Sequence, residues 1–258
     1  MAGHSKFKNI MHRKGAQDKK RAKLFSRLIR EISVAAKLGT PDPDSNPRLR
    51  TAINNALSSN MSKDNIERAI KKNNSTEANS IEEIIYEGFG PGGVAILVES
   101  MTDNRNRSAS EIRAAFSKFN GNLGISGCVK PYFQKIGLVT YLNSVDSFDN
   151  FFEFCLSIEV EDIQELDELY EIIITSELFH VSLEKLEKKF GMPKFSNLEW
   201  RALNNIEVSK EDDAKNLFKL LEKLEDLDDV QNVSSNFNIN DSLMEKVIWK
   251  NQRKLLVL

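Results

Sequence analysis

The chain has 258 residues, 40% of them hydrophobic, a formal net charge of −2 and two cysteines. No apolar run approaches the roughly 18 residues of a membrane helix, and the first 30 residues are charged throughout with no apolar leader core, as expected of a cytoplasmic protein. Cys128 and Cys155 form neither a disulfide framework nor a metal-ligand spacing, so both are expected to be small buried side chains in a reducing compartment.

The near-neutral total hides a strong partition. Residues 1–72 hold 17 Lys and Arg against 6 Asp and Glu, while the remainder holds 19 against 32. Within residues 1–30 the only acid among ten basic side chains is Asp18. A basic end on an acidic body is the distribution expected of a nucleic-acid-binding arm attached to a solubilising body. The competing reading is a solvated charged helix.

Residues 1–16 mix Gly, His, Ser, Lys and Asn with no apolar period and read as a flexible basic arm. From 17 to 38 the period predicts a helix: Phe25, Leu28, Ile29, Ile32, Ala35 and Ala36 share one face, with Lys20, Lys23, Arg27 and Arg30 opposite. Gly39 and the turn TPDPDSNP end it. Asn46 with Pro47 starts a second helix, and Ser62 caps a third, so three amphipathic helices form one small domain. Residues 71–80 read as a linker.

Strands are predicted at 82–87 and 93–99, joined by Gly88–Gly93. Ser108 and Glu111 form the capping box of a helix that ends at Gly121. Two more strands are expected at 128–134 and 136–142, turning at Lys135–Gly137, with Pro131 marking an edge. A helix at 146–158, a strand at 169–175, a helix at 181–190, a strand at about 197–208, a helix from Ser209 to Leu227 and a strand at 230–237 complete the pattern. Such an order implies an α+β fold of small units. The tail after Asn240 has apolar positions but no evident partner.

Gly88, Gly90 and Gly93 match a dinucleotide fingerprint, but a strand follows rather than a helix, which favours a hairpin connection. His4 and His12 lie in the basic arm without an acid or nucleophile beside them and suit phosphate contact. His180 reads as a surface residue at a helix start. The cluster Asp103–Arg107 is either a helix-entry loop or a phosphate site built from Asn104, Arg105, Arg107 and a helix N-terminus. No P-loop, hydrolase elbow, carboxylate pair or metal-ligand set stands out, so neither a cofactor nor a small-molecule substrate is expected.

The blocks MAGHSKFKNIMHRKGAQDKKRAKLFSRLIREISVAAKLG, DPDSNPRLRTAINNALSSNMSKDNIERAIKK, YEGFGPGGVAILVESMTDNRNRSASEIRAAFSKFNGNLG and LEDLDDVQNVSSNF make the chain resemble the YebC/PmpR family of regulatory proteins. The resemblance implies an N-terminal three-helix domain over 1–75 and an α+β domain made of 78–130 plus 207–240. A third, acidic α+β domain, 131–206, would be inserted in the second, and 241–258 is an atypical tail. It also implies a cytoplasmic, non-enzymatic, DNA-binding transcriptional regulator. Some relatives are tied instead to translation on the ribosome, including synthesis through proline-rich stretches, which makes ribosomal RNA the alternative partner. The expected nucleic-acid contacts are Lys6, Lys8, His12, Arg13, Lys14, Lys19, Lys20, Lys23, Arg27 and Arg30. Phe7 stands where the family usually has Trp, and residues 198–203 lack its Met-Ile-Pro run.

Overall fold

The computed structural model describes residues 17–71, 81–240, 242–244 and 246–247. In chain order the elements begin with α1 (Gln17–Leu38), α2 (Pro47–Ser58), α3 (Lys63–Lys71), β1 (Glu82–Phe89), β2 (Ala95–Thr102), α4 (Arg105–Lys118), β3 (Asn122–Leu123) and β4 (Phe133–Leu142). They continue with α5 (Phe148–Ser157), β5 (Asp162–Glu165), β6 (Leu169–Thr175), α6 (Phe179–Phe190), β7 (Phe195–Ala202), β8 (Ile206–Glu207), α7 (Glu211–Glu225), β9 (Val230–Ser235) and β10 (Phe237–Asn238). Among the described residues, one compact unit draws on 81–134 and 200–247, and the other on 18–71 and 135–199. No described helix is long and apolar enough to cross a membrane.

The first unit is built on a four-stranded sheet in the order β3-β1-β2-β9, antiparallel throughout. β2, AILVESMT, opens on four apolar residues and is buried along almost its whole length, because both of its faces are covered. Ile96 and Val98 pack with Ile112 and Phe116 of α4 and with Leu217, Leu220 and Leu221 of α7. Ala95 and Leu97 point the other way, onto Val129, Phe133, Trp200 and Ala202. Glu99 is the one charge within β2, and its carboxylate accepts from Trp200 Nε1 at 3.1 Å and Asn232 Nδ2 at 3.3 Å.

Glu87 on β1 is 3% exposed. Its carboxylate accepts from the backbone N–H of Gly127 at 2.6 Å and from those of Val129 and Lys130 at 2.8 Å each. Burial by itself would raise this carboxyl, but the three N–H donors and the Lys130 charge outweigh it and hold it below its ordinary value. The loop between β3 and β4 is therefore fixed to the sheet by one side chain.

The hairpin between β1 and β2 confirms the turn reading of the glycine run. Its register runs from Glu82↔Thr102 to Phe89↔Ala95, and Gly92 and Gly93 both take positive φ. Gly88 has a different reason: a Cβ there would sit 2.7 Å from both Asn122 O and the Phe116 ring.

In the second unit a four-stranded sheet has the order β5-β6-β4-β7, with β6 antiparallel to both β5 and β4. Its core is aromatic: the Phe151 ring lies 4.7 Å from Tyr170 and 4.8 Å from Phe190. A fully buried Phe of this kind contributes about 2–3 kcal/mol. Buried Cys155 joins this core, and burial pushes its thiol up to about 12.

Several elements differ from expectation, each for a local reason. Residues 133–142 form one strand rather than two, and Gly137 is no turn: it leaves room for the Phe179 ring. Pro131 lies in a 3-10 turn, Lys130–Tyr132, not on a strand edge. α4 begins at Arg105, three residues before the expected box, because Asn104 Oδ1 accepts from Arg107 N at 3.1 Å while Ser108 turns inward. At its end Asn120 takes the left-handed φ of 61°, ahead of Gly121. The stretch 197–208 breaks into β7 and β8, and β8 pairs in parallel with β10. Of the tail, Leu243, Met244 and Val247 are buried in the first unit's core, and Asn240 Oδ1 accepts from Leu243 N at 2.8 Å. Most of the linker and the rest of the tail lie outside the described residues.

Two measurements follow. Gly88→Ala must push backbone or a core ring aside and is expected to cost about 1–3 kcal/mol in urea unfolding; Gly93→Ala, with open space around it, should cost only its left-handed backbone strain, about 1 kcal/mol. Glu87→Gln replaces an acceptor oxygen with a donor facing backbone N–H and should cost about 2 kcal/mol at neutral pH. Because the folded carboxyl is held below its ordinary 4.5, its contribution is full above that value and lost as pH falls through the folded one. The stability curves of wild type and variant should converge on acidification; parallel curves would refute the assignment.

Candidate nucleic-acid interface

The helical module is held by polar groups placed at its turns. Phe25, Leu28, Ile32, Ala35 and Ala36 of α1 pack with Leu49, Ala52 and Ala56 of α2 and Ile66 and Ala69 of α3. Ser33 Oγ donates to Ala69 O at 3.1 Å, tying α1 to α3. Buried Asn46 both caps and fastens: Oδ1 accepts from Leu49 N at 3.1 Å, while Nδ2 donates at 2.8 Å to each of Ala35 O and Thr40 O. Its cap role was legible from Asn46–Pro47; its hold on the end of α1 was not. Arg48 then grips Glu31 of α1 with two bonds, at 2.7 and 3.2 Å.

The same module is joined to the second sheet. Asn55 Nδ2 donates to Ser196 O at 2.6 Å and Asn55 Oδ1 accepts from Ser196 N at 3.2 Å, so one side-chain amide pairs with a strand as another backbone would. Asn54 Nδ2 donates to Glu187 at 3.1 Å. His180, expected on the surface, is half-buried in the first turn of α6; burial, then Arg50 and Arg48, hold its imidazole below the ordinary value and therefore neutral.

The expected contacts fall into three groups. Lys6, Lys8, His12, Arg13 and Lys14 lie outside the described residues. Lys19 and Lys20 lie on the first turn of α1, and their side chains are also outside the description. Lys23, Arg27 and Arg30 share a helix face, but all three are half-buried and engaged within the protein. Val34, next along that face, is only 2% exposed. The stripe is thus covered at its C-terminal end, and the exposed Arg21, whose guanidinium lies 5.3 Å over Phe25, stands beside it.

The second candidate, Asn104–Arg107, is built differently from the expectation. Asp229 is 5% exposed and accepts from Ser108 Oγ at 2.6 Å, Arg107 Nη2 at 2.8 Å and Thr102 Oγ1 at 2.9 Å. Burial alone would raise this carboxyl; the Ser108, Arg107 and Thr102 bonds hold it below its ordinary value. Arg107 also donates to Asp103 at 2.8 Å, and the two carboxylates raise the guanidinium above its usual range. Asn104 Oδ1 is taken up by the helix cap. Arg105 is exposed at the start of the helix, where its backbone oxygen accepts from the Tyr86 hydroxyl at 3.2 Å. Nothing in the acidic run LEDLDDV singled out Asp229, whose role comes from its burial beside α4.

Residues 81–237 match the family model Transcrip_reg, the TACO1/YebC second and third domain, and residues 5–76 match the TACO1/YebC protein N-terminal domain. A solved structure, that of the conserved hypothetical protein Aq1575 from Aquifex aeolicus, is 44% identical and covers 87% of this chain and 93% of its own, with a TM-score of 0.80.

The Arg107 cluster is expected to be structural. Arg107→Met should lower the urea midpoint, and less so at a pH where Asp229 is protonated, while leaving the salt dependence of nucleic-acid binding unchanged. A phosphate ligand would instead shift that log–log salt slope by about 1.

Proposed function

Because the chain belongs to the TACO1/YebC family, we propose that it is a non-enzymatic regulator of gene expression that binds nucleic acid through its basic N-terminal third. The observation that carries this reading is the charge partition. Residues 1–72 hold 17 basic against 6 acidic side chains, whereas residues 136–184 contain no Lys or Arg and 12 acids. Phosphate backbones attract the first segment and repel the second. Each phosphate neutralised releases counterions, so affinity should fall steeply with salt. The arm, His4 to Lys14, would supply phosphate contacts, with Lys19, Lys20 and Arg21 extending its charge along α1.

Duplex DNA is the first target, in keeping with the family model's label of transcriptional regulator. Ribosomal RNA is the second, and the helical module supports it. The Asn54 and Asn55 side chains of α2 are already bonded to Glu187 and Ser196. The exposed face of α3 mixes Lys63, Arg68 and Lys71 with Asp64 and Glu67. Neither helix offers the run of base-reading side chains that a major groove requires, which suits recognition of backbone and shape.

Sedimentation of a lysate through sucrose, beside gel retardation of duplex DNA, separates the two. The variant Lys6→Gln/Lys8→Gln/Arg13→Gln/Lys14→Gln should lose association in either case, with a duplex-DNA salt slope shallower by about 3 to 4 if all four touch phosphate. Wild type travelling with ribosomal particles supports RNA. Wild type at the top of the gradient but retarding DNA supports transcription. Unchanged association of the variant in both assays would sink the proposal.

A further inference from the structure

The first unit exposes a loop with basic and aromatic side chains. From Ile112 to Gln134 the chain carries no Asp or Glu. The loop between β3 and β4 falls inside this stretch, where Lys130, Pro131 and Tyr132 are exposed, Tyr132 by 45%. The Lys130 ammonium lies 5.4 Å over the Trp200 ring. Leu203 N donates to Tyr132 O at 2.9 Å, which brings the residue just after β7 against the same loop, with exposed Arg201 close by in the chain. Ile125, 81% exposed, marks the loop's tip. The Glu87 carboxylate fixes the backbone of Val129 and Lys130 from below.

We infer that Tyr132, with Lys130 beside it, is a stacking platform for a single-stranded stretch of nucleic acid. The inference rests on the reading that this protein binds nucleic acid. An exposed aromatic ring beside a fixed ammonium, in a stretch of chain without acidic side chains, is the arrangement that accepts an unpaired base and its phosphate. Duplex offers no free base face to such a ring, so the platform adds affinity for single strands only. The pre-set loop means that little backbone order is lost on binding.

The test is fluorescence anisotropy of the full-length protein with labelled oligo(rU), oligo(dT) and a duplex of equal length. Tyr132→Ala should weaken single-strand binding at least about fivefold, leave its salt slope unchanged and spare duplex binding; Tyr132→Phe should restore the affinity. Lys130→Gln should make the slope shallower by about 1. Circular dichroism and urea midpoints check that the variants fold. A uridine oligomer carrying 5-iodouracil should crosslink to the peptide that contains Tyr132. The rU and dT arms separate RNA from DNA as the strand bound.

If Tyr132→Ala binds all three as wild type does and crosslinks fall only within residues 1–38, the platform is refuted while the N-terminal reading stands. If the four-fold Gln variant of the arm binds normally but Tyr132→Ala does not, the platform stands and the N-terminal reading falls. If wild type binds none of the probes, both are refuted.

Discussion

A carboxylate taken out of water must find donors or lose its charge, and Glu87 finds three, all of them backbone N–H groups of one loop. Much of the first unit depends on this. The loop so held carries Val129 onto the sheet face opposite α4 and α7, where it packs with Phe133 and Trp200. It also sets where the chain leaves the first sheet for the second, since β4 begins directly after the Lys130–Tyr132 turn. Asp229 does the matching task on the return path. It stands one residue before β9 and ties that strand to the start of α4 through Ser108, Arg107 and Thr102. Two buried carboxylates thus fix the exit and the re-entry of a chain that builds a whole second sheet in between.

The helical module is held by the same economy of means, with amides in place of carboxylates. Asn46 satisfies the carbonyls at the end of α1 and an N–H at the start of α2, and Asn55 imitates a strand's pairing groups toward Ser196. Amides suit a region rich in basic side chains: they supply donors and acceptors without adding anions. The ion pair of Arg48 with Glu31 is the exception, and there the guanidinium is matched in geometry by two bonds.

The parts of this structure that periodicity controls were legible in the sequence. α1, α2 and α3 follow from apolar spacing and the Asn46 and Ser62 caps, and the β1–β2 hairpin from two apolar runs around Gly88–Gly93. The misreadings arose where one residue served two purposes. Gly137 resembles a turn but accommodates Phe179, and Ser108 resembles a cap but belongs to Asp229. Leu243, Met244 and Val247 lacked a visible partner because theirs is the distant core of α4 and α7. At the interface, charge counting found the basic third of the chain. It missed that the Lys23–Arg30 face is half-buried, since burial of a long aliphatic stem leaves no mark in composition. No motif marks Lys130 and Tyr132, the residues of the proposed platform.

The position of Glu99 gains a second meaning when the order of synthesis is considered. β1 and β2 can pair as soon as both have emerged, but the far edge of β2 is completed only by β9, more than a hundred residues later. At roughly 5–20 residues per second, that edge stays open for on the order of ten seconds. During this interval AILVESMT has one open edge, the kind of segment that recruits the wrong neighbour. A single glutamate in its middle discourages such pairing while the chain is nascent. Trp200 and Asn232, the groups that later satisfy its carboxylate, each arrive more than a hundred residues after it. The carboxylate that protects the growing chain is thus hydrogen-bonded by the segments whose arrival ends the need for it.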